Sequence, residues 1–219
     1  CQHHIITSLD DIVWLFNIRG NDVDCNPVVL SYALINQDNA ILYVQDNVVD
    51  VKTEAILKRD SIIIRAYNDI YEDVKKLTGK VLLDDQIVNY QIFNNLNCEI
   101  KTAPNPTQHF KAIKNETEIK ATKNAHIKDG VAMTKFMYWL KNNVGKIELD
   151  EVTISDKLAA FRKEQNEFFD LSFDTICGYK ANAALMHYKA EPGNCAKVTN
   201  EGMLLIDSGG QYLDGTIDT

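Results

Sequence analysis

Two aspartates near the end of the chain, Asp207 and Asp218, have the residue type and spacing of a small acidic site. The apolar run 203–206 leads directly into Asp207 and is too short for a helix, so it predicts a buried strand. Gly209-Gly210 predicts a turn or bulge, after which residues 211–217 can return as a second strand. Such a pair would bring the carboxylates side by side, where they need a counter-charge such as a metal ion. A surface hairpin with ordinary turn aspartates is the alternative that this spacing leaves open.

His187 is the histidine that lies between predicted strands near the acidic pair. A single histidine beside an apolar run is more often structural than functional. The nearby pair Asp207 and Asp218 favours a catalytic or ligand role for it. His126 falls inside a predicted helix, and we interpret it as structural.

The elements that must position these residues begin with an α/β pattern in the first hundred residues. Strands alternate with short helices there, which indicates a mixed sheet. The predicted strands of this sheet span residues 28–35, 40–44, 61–65, 80–83 and 99–102.

A proline-containing segment marks the predicted boundary between two domains. Pro104 and Pro106 can continue neither a helix nor a central strand. We therefore predict a first domain at 1–103, a linker at 104–107 and a second domain at 108–219.

The second domain has an α+β pattern. Asn115, followed three residues later by a glutamate, predicts a helix start. Apolar spacing extends this helix to about residue 143 and predicts another over about 150–166. The stretch 171–177 then predicts a strand.

Composition excludes several classes of protein. With 45% apolar and 25% charged residues the chain has a globular composition, and its net charge of −8 argues against nucleic-acid partners and an anionic membrane surface. No apolar run approaches the length of a membrane span. The five cysteines form no CxxC pair, so neither a disulfide framework nor a zinc knuckle is indicated. A reducing, cytoplasmic location fits.

Several motifs resemble one family of enzymes. Residues 172–176 (SFDTI), 182–188 (NAALMHY) and 205–218 (LIDSGGQYLDGTID) resemble Xaa-Pro aminopeptidases, members of the pita-bread metallopeptidase superfamily with creatinase, prolidase and methionine aminopeptidase. Residues 9–20 (LDDIVWLFNIRG) are similar to the middle domain of the long, three-domain members, and residues 129–140 to the first long helix of their catalytic domain. The resemblance implies a creatinase N-terminal-like mixed-sheet domain followed by the N-terminal half of a pita-bread catalytic domain.

The resemblance also implies roles for the candidate residues. Asp207 and Asp218 match two metal-ligand aspartates, and His187 matches a histidine that contacts the substrate near the scissile carbonyl. The implied cofactor is a pair of manganese ions, which lower the pKa of a shared water and supply hydroxide at neutral pH. The implied substrates are peptides with proline in second position, from which the N-terminal residue is removed. A homodimer is a further implication.

Two departures from the family pattern limit what this chain can do alone. Ile217 stands where the family has a threonine beside the second aspartate. This chain therefore lacks, at that position, the hydroxyl group that could support the metal ligands by hydrogen bonding. The family's remaining ligands, a histidine and two glutamates, have no counterpart before Thr219, so the chain looks like a fragment. We therefore expect it to be inactive and mostly metal-free by itself. A non-catalytic pita-bread binding or scaffold module is the alternative function.

Overall fold

The computed structural model describes residues 1–219 and divides them into two compact units. The N-terminal unit consists of Cys1–Val23 and Pro27–Lys114, and the C-terminal unit consists of Asp24–Asn26 and Asn115–Thr219. The α/β architecture with a mixed sheet that the sequence predicts is confirmed. None of the helices combines the length and apolar character that crossing a bilayer requires.

The N-terminal unit is built on one six-stranded sheet. Its strands are β1 (His3–Ile6), β2 (Ser31–Asn36), β3 (Ala40–Val44), β4 (Ile62–Ala66), β5 (Lys80–Leu83) and β6 (Glu99–Thr102). Their spatial order is β4-β3-β2-β1-β5-β6, with β2 antiparallel to both neighbours and the other pairs parallel. The helices of this unit are α1 (Leu9–Phe16), α2 (Val51–Arg59), α3 (Ile70–Asp73), α4 (Tyr90–Asn95) and α5 (Pro106–Ala112).

Both faces of this sheet are buried, because successive residues of a strand point to opposite sides. Ile5 belongs to one hydrophobic cluster, together with Leu34 and Val81. Ile6 belongs to a second cluster, together with Leu42. A sheet covered on both faces explains why its strands appear in the sequence as apolar runs without clear alternation.

Residues 104–107 are part of the N-terminal unit and not the free linker that the prolines predict. Pro106 is the first residue of α5, where its missing N–H would have no helical partner in any case. Asn105 is only 3% exposed, and its side chain contacts His4 Nε2 at 3.1 Å and Asp11 Oδ2 at 3.3 Å. The division between the units falls later, between Lys114 and Asn115.

The C-terminal unit places two helices beside short strands. Its helices are α6 (Glu116–Asn143) and α7 (Glu151–Lys163), and its strands are β7 (Phe168–Leu171), β8 (Ile176–Tyr179), β9 (Leu204–Asp207), β10 (Gly210–Tyr212) and β11 (Gly215–Thr216). The predicted start of α6 is confirmed, because the side chains of Asn115 and Glu118 form a reciprocal capping box. β8 pairs with β9, and β10 lies between β11 and β7.

Two sequence predictions in this unit are wrong. Residues 171–177 do not form the single strand that is predicted, because they connect the end of β7 to the start of β8, and these two strands belong to different sheets. Gly209-Gly210 is not the hairpin turn, since Gly210 already opens β10. The tight turn lies at residues 213–214, between β10 and β11.

His4 should make the stability of the N-terminal unit depend on pH. Burial lowers the pKa of His4, since the loss of water disfavours the imidazolium more than Asn105 and Asp11 favour it. The unfolded chain then binds more protons, so the stability contribution is complete above the unfolded pKa of about 6.5 and is lost as the pH falls from there through the lowered pKa of folded His4. When the pH is lowered from about 7.5 to 5, the free energy of unfolding measured in urea should fall more for the wild type than for His4→Gln. Glutamine has no group that titrates in this range.

The matched control for this experiment is His126→Gln, which removes an exposed histidine on α6. It should keep the wild-type pH dependence. An identical pH dependence in His4→Gln and the wild type would show that His4 is not the titrating group.

Candidate active site

Asp207 is the last residue of β9, and Asp218 follows β11 by two residues. The segments that contain them present one face to the helices and the other face away from them. Leu204 and Ile206 pack in a hydrophobic cluster that includes residues of α6 and α7. Tyr212 and Ile217 pack with Ala125 of α6. Because side chains alternate along a strand, the residues between these positions point the other way. The opposite face therefore carries Asp207, Gln211, Thr216 and Asp218.

Backbone hydrogen bonds fix the register between the two aspartates. Ser208 and Thr219 exchange two bonds of 2.9 and 3.0 Å, and Gly210 and Ile217 exchange two of 2.9 and 3.2 Å. Asp218 therefore lies opposite Gly209, and Asp207 is its diagonal neighbour. Diagonal neighbours in an antiparallel ladder are about 7–8 Å apart, which carboxylate side chains can bridge through a shared ligand. Asp207 is half-buried and Asp218 is exposed.

Gln211 and Thr216 form a polar pair on the same face. The Thr216 hydroxyl donates to Gln211 Oε1 at 2.5 Å, and Gln211 Nε2 donates to the Cys25 carbonyl at 3.0 Å. Gln211 is 5% exposed, so both ends of its amide are satisfied although it is buried. The face that carries Asp207 and Asp218 therefore also carries the side chain of Gln211, which hydrogen bonds hold in place.

Ile217 does not share the face of the aspartates. It is 2% exposed and packs with Ala125 and Tyr212 in the hydrophobic cluster under α6. Its carbonyl accepts a hydrogen bond from the Ser172 hydroxyl at 2.8 Å. The apolar side chain that departs from the family pattern is therefore a core residue in this fold.

A buried ion pair attaches the aspartate-bearing strands to the helices. Arg162 Nε and Nη2 donate to the two carboxylate oxygens of Asp129 at 2.8 and 3.1 Å. Both side chains are almost fully buried, at 0% and 4% exposure. The Tyr212 hydroxyl on β10 donates to Asp129 Oδ1 at 2.9 Å, and burial beside this carboxylate raises the pKa of Tyr212. α6, α7 and β10 thus meet at one carboxylate.

A second buried carboxylate, that of Glu151, holds the segment that contains His187. Glu151 is fully buried at the start of α7 and accepts hydrogen bonds from the Tyr179 and Ala196 amides, the Asn182 side chain and the Tyr188 hydroxyl. Burial alone would raise the pKa of Glu151, but these donors lower it below its ordinary value. The carboxylate is therefore ionised and fully paired.

His187 lies in an exposed turn within the connection between β8 and β9. The Tyr188 amide donates to the Leu185 carbonyl at 3.3 Å, and His187 has a left-handed φ of 54°. Its imidazole makes no hydrogen bond within the chain. The ring is therefore free to contact a ligand, and its placement depends on the backbone of the turn.

The residues of this chain do not complete a metal site by themselves. The carboxylate oxygens of Asp207 and Asp218 are donors of the type that hard divalent cations prefer. The structure nevertheless contains no group of three or more histidine, cysteine, aspartate or glutamate side chains that could hold a metal ion. His187 does not join the two aspartates in such a group.

Two family models match consecutive parts of this chain. The model of the creatinase/prolidase N-terminal domain matches residues 1–118. The chain belongs to this family. The model of metallopeptidase family M24 matches residues 120–219, the segment that contains His187, Asp207 and Asp218.

Similar proteins confirm the resemblance to Xaa-Pro aminopeptidases that the sequence motifs indicate. The probable Xaa-Pro aminopeptidase P of Chaetomium globosum is 38% identical over 229 residues, which cover 98% of this chain and 37% of that protein. X-prolyl aminopeptidase from Caenorhabditis elegans, described as a cytosolic enzyme with a di-nuclear active site, superposes with a TM-score of 0.92 at 30% identity and covers 100% of this chain.

More distant members share the fold. The Xaa-Pro dipeptidase from Bacillus anthracis superposes with a TM-score of 0.73 at 19% identity, over 99% of this chain and 58% of that one. This chain spans 37% of the length of the C. elegans enzyme and 37% of the length of the C. globosum relative.

The sequence prediction missed the buried charges, although a signal for them exists. Glu151 and Arg162 occupy the same helical stripe of α7 as the buried Ile154 and Leu158. Asp129 likewise lies on the buried stripe of α6. A charged residue at a core position needs a partner, so these positions predict a buried network even without a structure.

Breaking the Asp129–Arg162 pair should strongly destabilise the C-terminal unit. Asp129→Ala leaves an unpaired guanidinium in the core, which costs about 3–5 kcal/mol. The matched control is Glu164→Ala, which removes the exposed partner of Lys135 and should cost less than about 1 kcal/mol. Equilibrium urea unfolding measures both, and equal losses would contradict the role assigned to the buried pair.

A side chain at Gly209 should destabilise the C-terminal unit. A Cβ there would lie 2.0 Å from the Ile217 carbonyl oxygen and 2.0 Å from Ser172 Oγ, so the ladder opposite Asp218 must shift. Gly209→Ala should lower the free energy of unfolding by about 1–3 kcal/mol. Gly130→Ala in α6 meets nothing within 4 Å and should instead stabilise by up to about 1 kcal/mol. A neutral Gly209→Ala would show that the ladder is not closely packed at this point.

Proposed function

We propose that this chain is part of a metallo-aminopeptidase that removes the N-terminal residue from peptides with proline in second position. The observation that carries the proposal is the placement of Asp207 and Asp218 on one face of a strand pair, inside the segment that matches the M24 metallopeptidases. The similarity to proteins named Xaa-Pro aminopeptidase supports the choice of substrate.

In this proposal the two aspartates supply part of a dinuclear metal centre. The carboxylate oxygens of Asp207 and Asp218 would hold manganese, and the bound ions would activate water at neutral pH for peptide hydrolysis. The di-nuclear active site of the C. elegans enzyme supports the number of metals. This chain contributes two carboxylates, so the remaining ligands must come from outside these 219 residues.

His187 is proposed to contact the substrate near the scissile carbonyl. Its exposed ring and unused nitrogens allow it to hydrogen-bond to a peptide group. The connection that carries it starts at β8 and ends at β9, and β9 itself ends at Asp207. His187 and Asp207 are therefore attached to the same two-stranded sheet.

The wider setting follows from the same similarity. We propose a cytoplasmic enzyme that forms homodimers, acts on peptides and has no nucleic-acid or membrane partner. The net charge of −8 supports the last point, and the description of the C. elegans enzyme as cytosolic supports the location.

The chain alone should neither cleave Xaa-Pro peptides nor retain manganese. Two carboxylates hold a divalent ion weakly against water, so metal analysis after dialysis should find well under one manganese ion per chain. The complete gene product that contains this sequence should release the first residue of an Xaa-Pro peptide when manganese is added. Asp207→Asn and Asp218→Asn should each reduce its kcat/KM at least about a hundredfold.

Asp156→Asn, an exposed aspartate of α7, is the matched control and should leave the rate unchanged. Cleavage by the purified 219-residue chain would contradict the expected inactivity. A complete gene product that binds no manganese and cleaves no Xaa-Pro peptide would favour the non-catalytic binding or scaffold module.

A further inference from the structure

We infer that Glu151 is the positioning residue for His187, and that it acts through the turn Leu185–Tyr188. The inference rests on the proposed function, because it assigns a reason for holding His187 in place. Glu151 itself does not touch a substrate in this assignment. It is a buried anchor for the segment that presents the imidazole.

The first step concerns how His187 is held. Its ring makes no hydrogen bond, so no side-chain contact of that kind fixes its direction. Its backbone has a φ of 54°, in the left-handed region that residues with a Cβ adopt infrequently. The position of the ring therefore depends on the backbone of the turn and on the contacts that hold the two ends of the turn.

Both sides of the turn are tied to the same carboxylate. Upstream, Asn182 Nδ2 donates to Glu151 Oε1 and Oε2 at 3.0 and 3.1 Å, and the Leu185 amide donates back to the Asn182 carbonyl at 3.1 Å. Downstream, the Tyr188 hydroxyl donates to Glu151 Oε2 at 2.7 Å. Asn182 Nδ2 also contacts the Tyr188 hydroxyl at 3.0 Å, which closes the loop around His187.

The carboxylate also holds the two ends of the longer connection. Glu151 Oε1 accepts from the Tyr179 amide at 2.6 Å, at the end of β8, and Oε2 accepts from the Ala196 amide at 2.8 Å. Burial and the neighbouring carboxylate raise the pKa of Tyr188 to about 12, so this hydroxyl remains a donor across the working range of an enzyme. One charge thus organises residues 179–196.

The donor pattern makes the charged side chain irreplaceable. Each carboxylate oxygen of Glu151 accepts a hydrogen bond from one backbone N–H. In a glutamine, one of these oxygens is replaced by an NH2 group, which is a donor. In either orientation of the amide, this donor would face a backbone N–H that is also a donor. Glu151→Gln is therefore expected to disturb the whole connection. Tyr188→Phe is the milder variant, because it removes one hydroxyl and leaves the other donors in place.

Amide hydrogen exchange of the 219-residue chain tests the anchoring. Tyr188→Phe and Glu151→Gln should speed exchange of residues 180–195 about tenfold or more, the usual effect of losing a hydrogen bond to a charged group. Tyr212→Phe is the matched control, since it also removes a tyrosine hydroxyl from a buried carboxylate, that of Asp129. It should leave exchange of residues 180–195 unchanged. Unchanged exchange in Tyr188→Phe would overturn the inference, even if Glu151→Gln fails to fold.

Kinetics of the complete gene product test whether the anchor acts through His187. Tyr188→Phe should lower kcat for an Xaa-Pro peptide about tenfold or more, and the same change should have no further effect in a His187→Ala background. Full additivity of the two changes would overturn the positioning role. An inactive wild-type gene product would refute the proposed function, whereas the exchange experiment would still decide whether Glu151 holds the turn.

Discussion

The C-terminal unit depends on two buried carboxylates, Asp129 and Glu151, whose oxygens all accept hydrogen bonds. An ion pair such as Asp129–Arg162 is not stabilising in itself, because removing two charges from water costs as much as their attraction returns. It is tolerated here because the contact is bidentate and Tyr212 occupies a further lone pair. Its value lies in specificity, since a slip of β10 would take the Tyr212 hydroxyl away from the buried Asp129 carboxylate. This contact favours the register in which the backbone hydrogen bonds place Asp218 opposite Gly209.

Helix α7 carries the anchors for both parts of the candidate site. Glu151 at its first turn holds the connection around His187, and Arg162 near its end holds the strands of the aspartates through Asp129. The two residues are eleven positions apart, which is about 17 Å along a helix. A helix is rigid over this length, so the spacing between the two anchors is set by its geometry. Sites of this kind are more accurate when they are attached to regular elements than when they rest on loops.

The sequence predicted those features that local physics controls. Strands β3, β5 and β6 match their predicted spans, and α6 begins at its predicted cap, because apolar runs and capping residues act over a few positions. The hairpin turn was misplaced, since glycines also occur where a ladder is crowded, as at Gly209. The proline segment was misread as a linker because the partners of Asn105 lie about a hundred residues away in the chain.

The candidate site was predicted in part for the same reason. The pairing of Asp207 with Asp218 follows from strand alternation, which a short segment reveals. The anchors of the site involve residues 28 or more positions apart, as for Glu151 with Tyr179, and no local pattern specifies such partners. The same alternation puts Ile217 on the opposite face, and only the structure shows that α6 covers that face.

The position of β1 has a consequence for the order of folding. This strand contains His3–Ile6, yet it lies in the interior of the six-stranded sheet, between β2 and β5. Its parallel partner, residues 80–83, is separated from it by most of the N-terminal unit. During synthesis, the first strand must therefore wait with one unpaired edge until the fifth has left the ribosome. Such a long closure slows folding and leaves apolar residues such as Ile5 and Ile6 accessible to chaperones in the meantime.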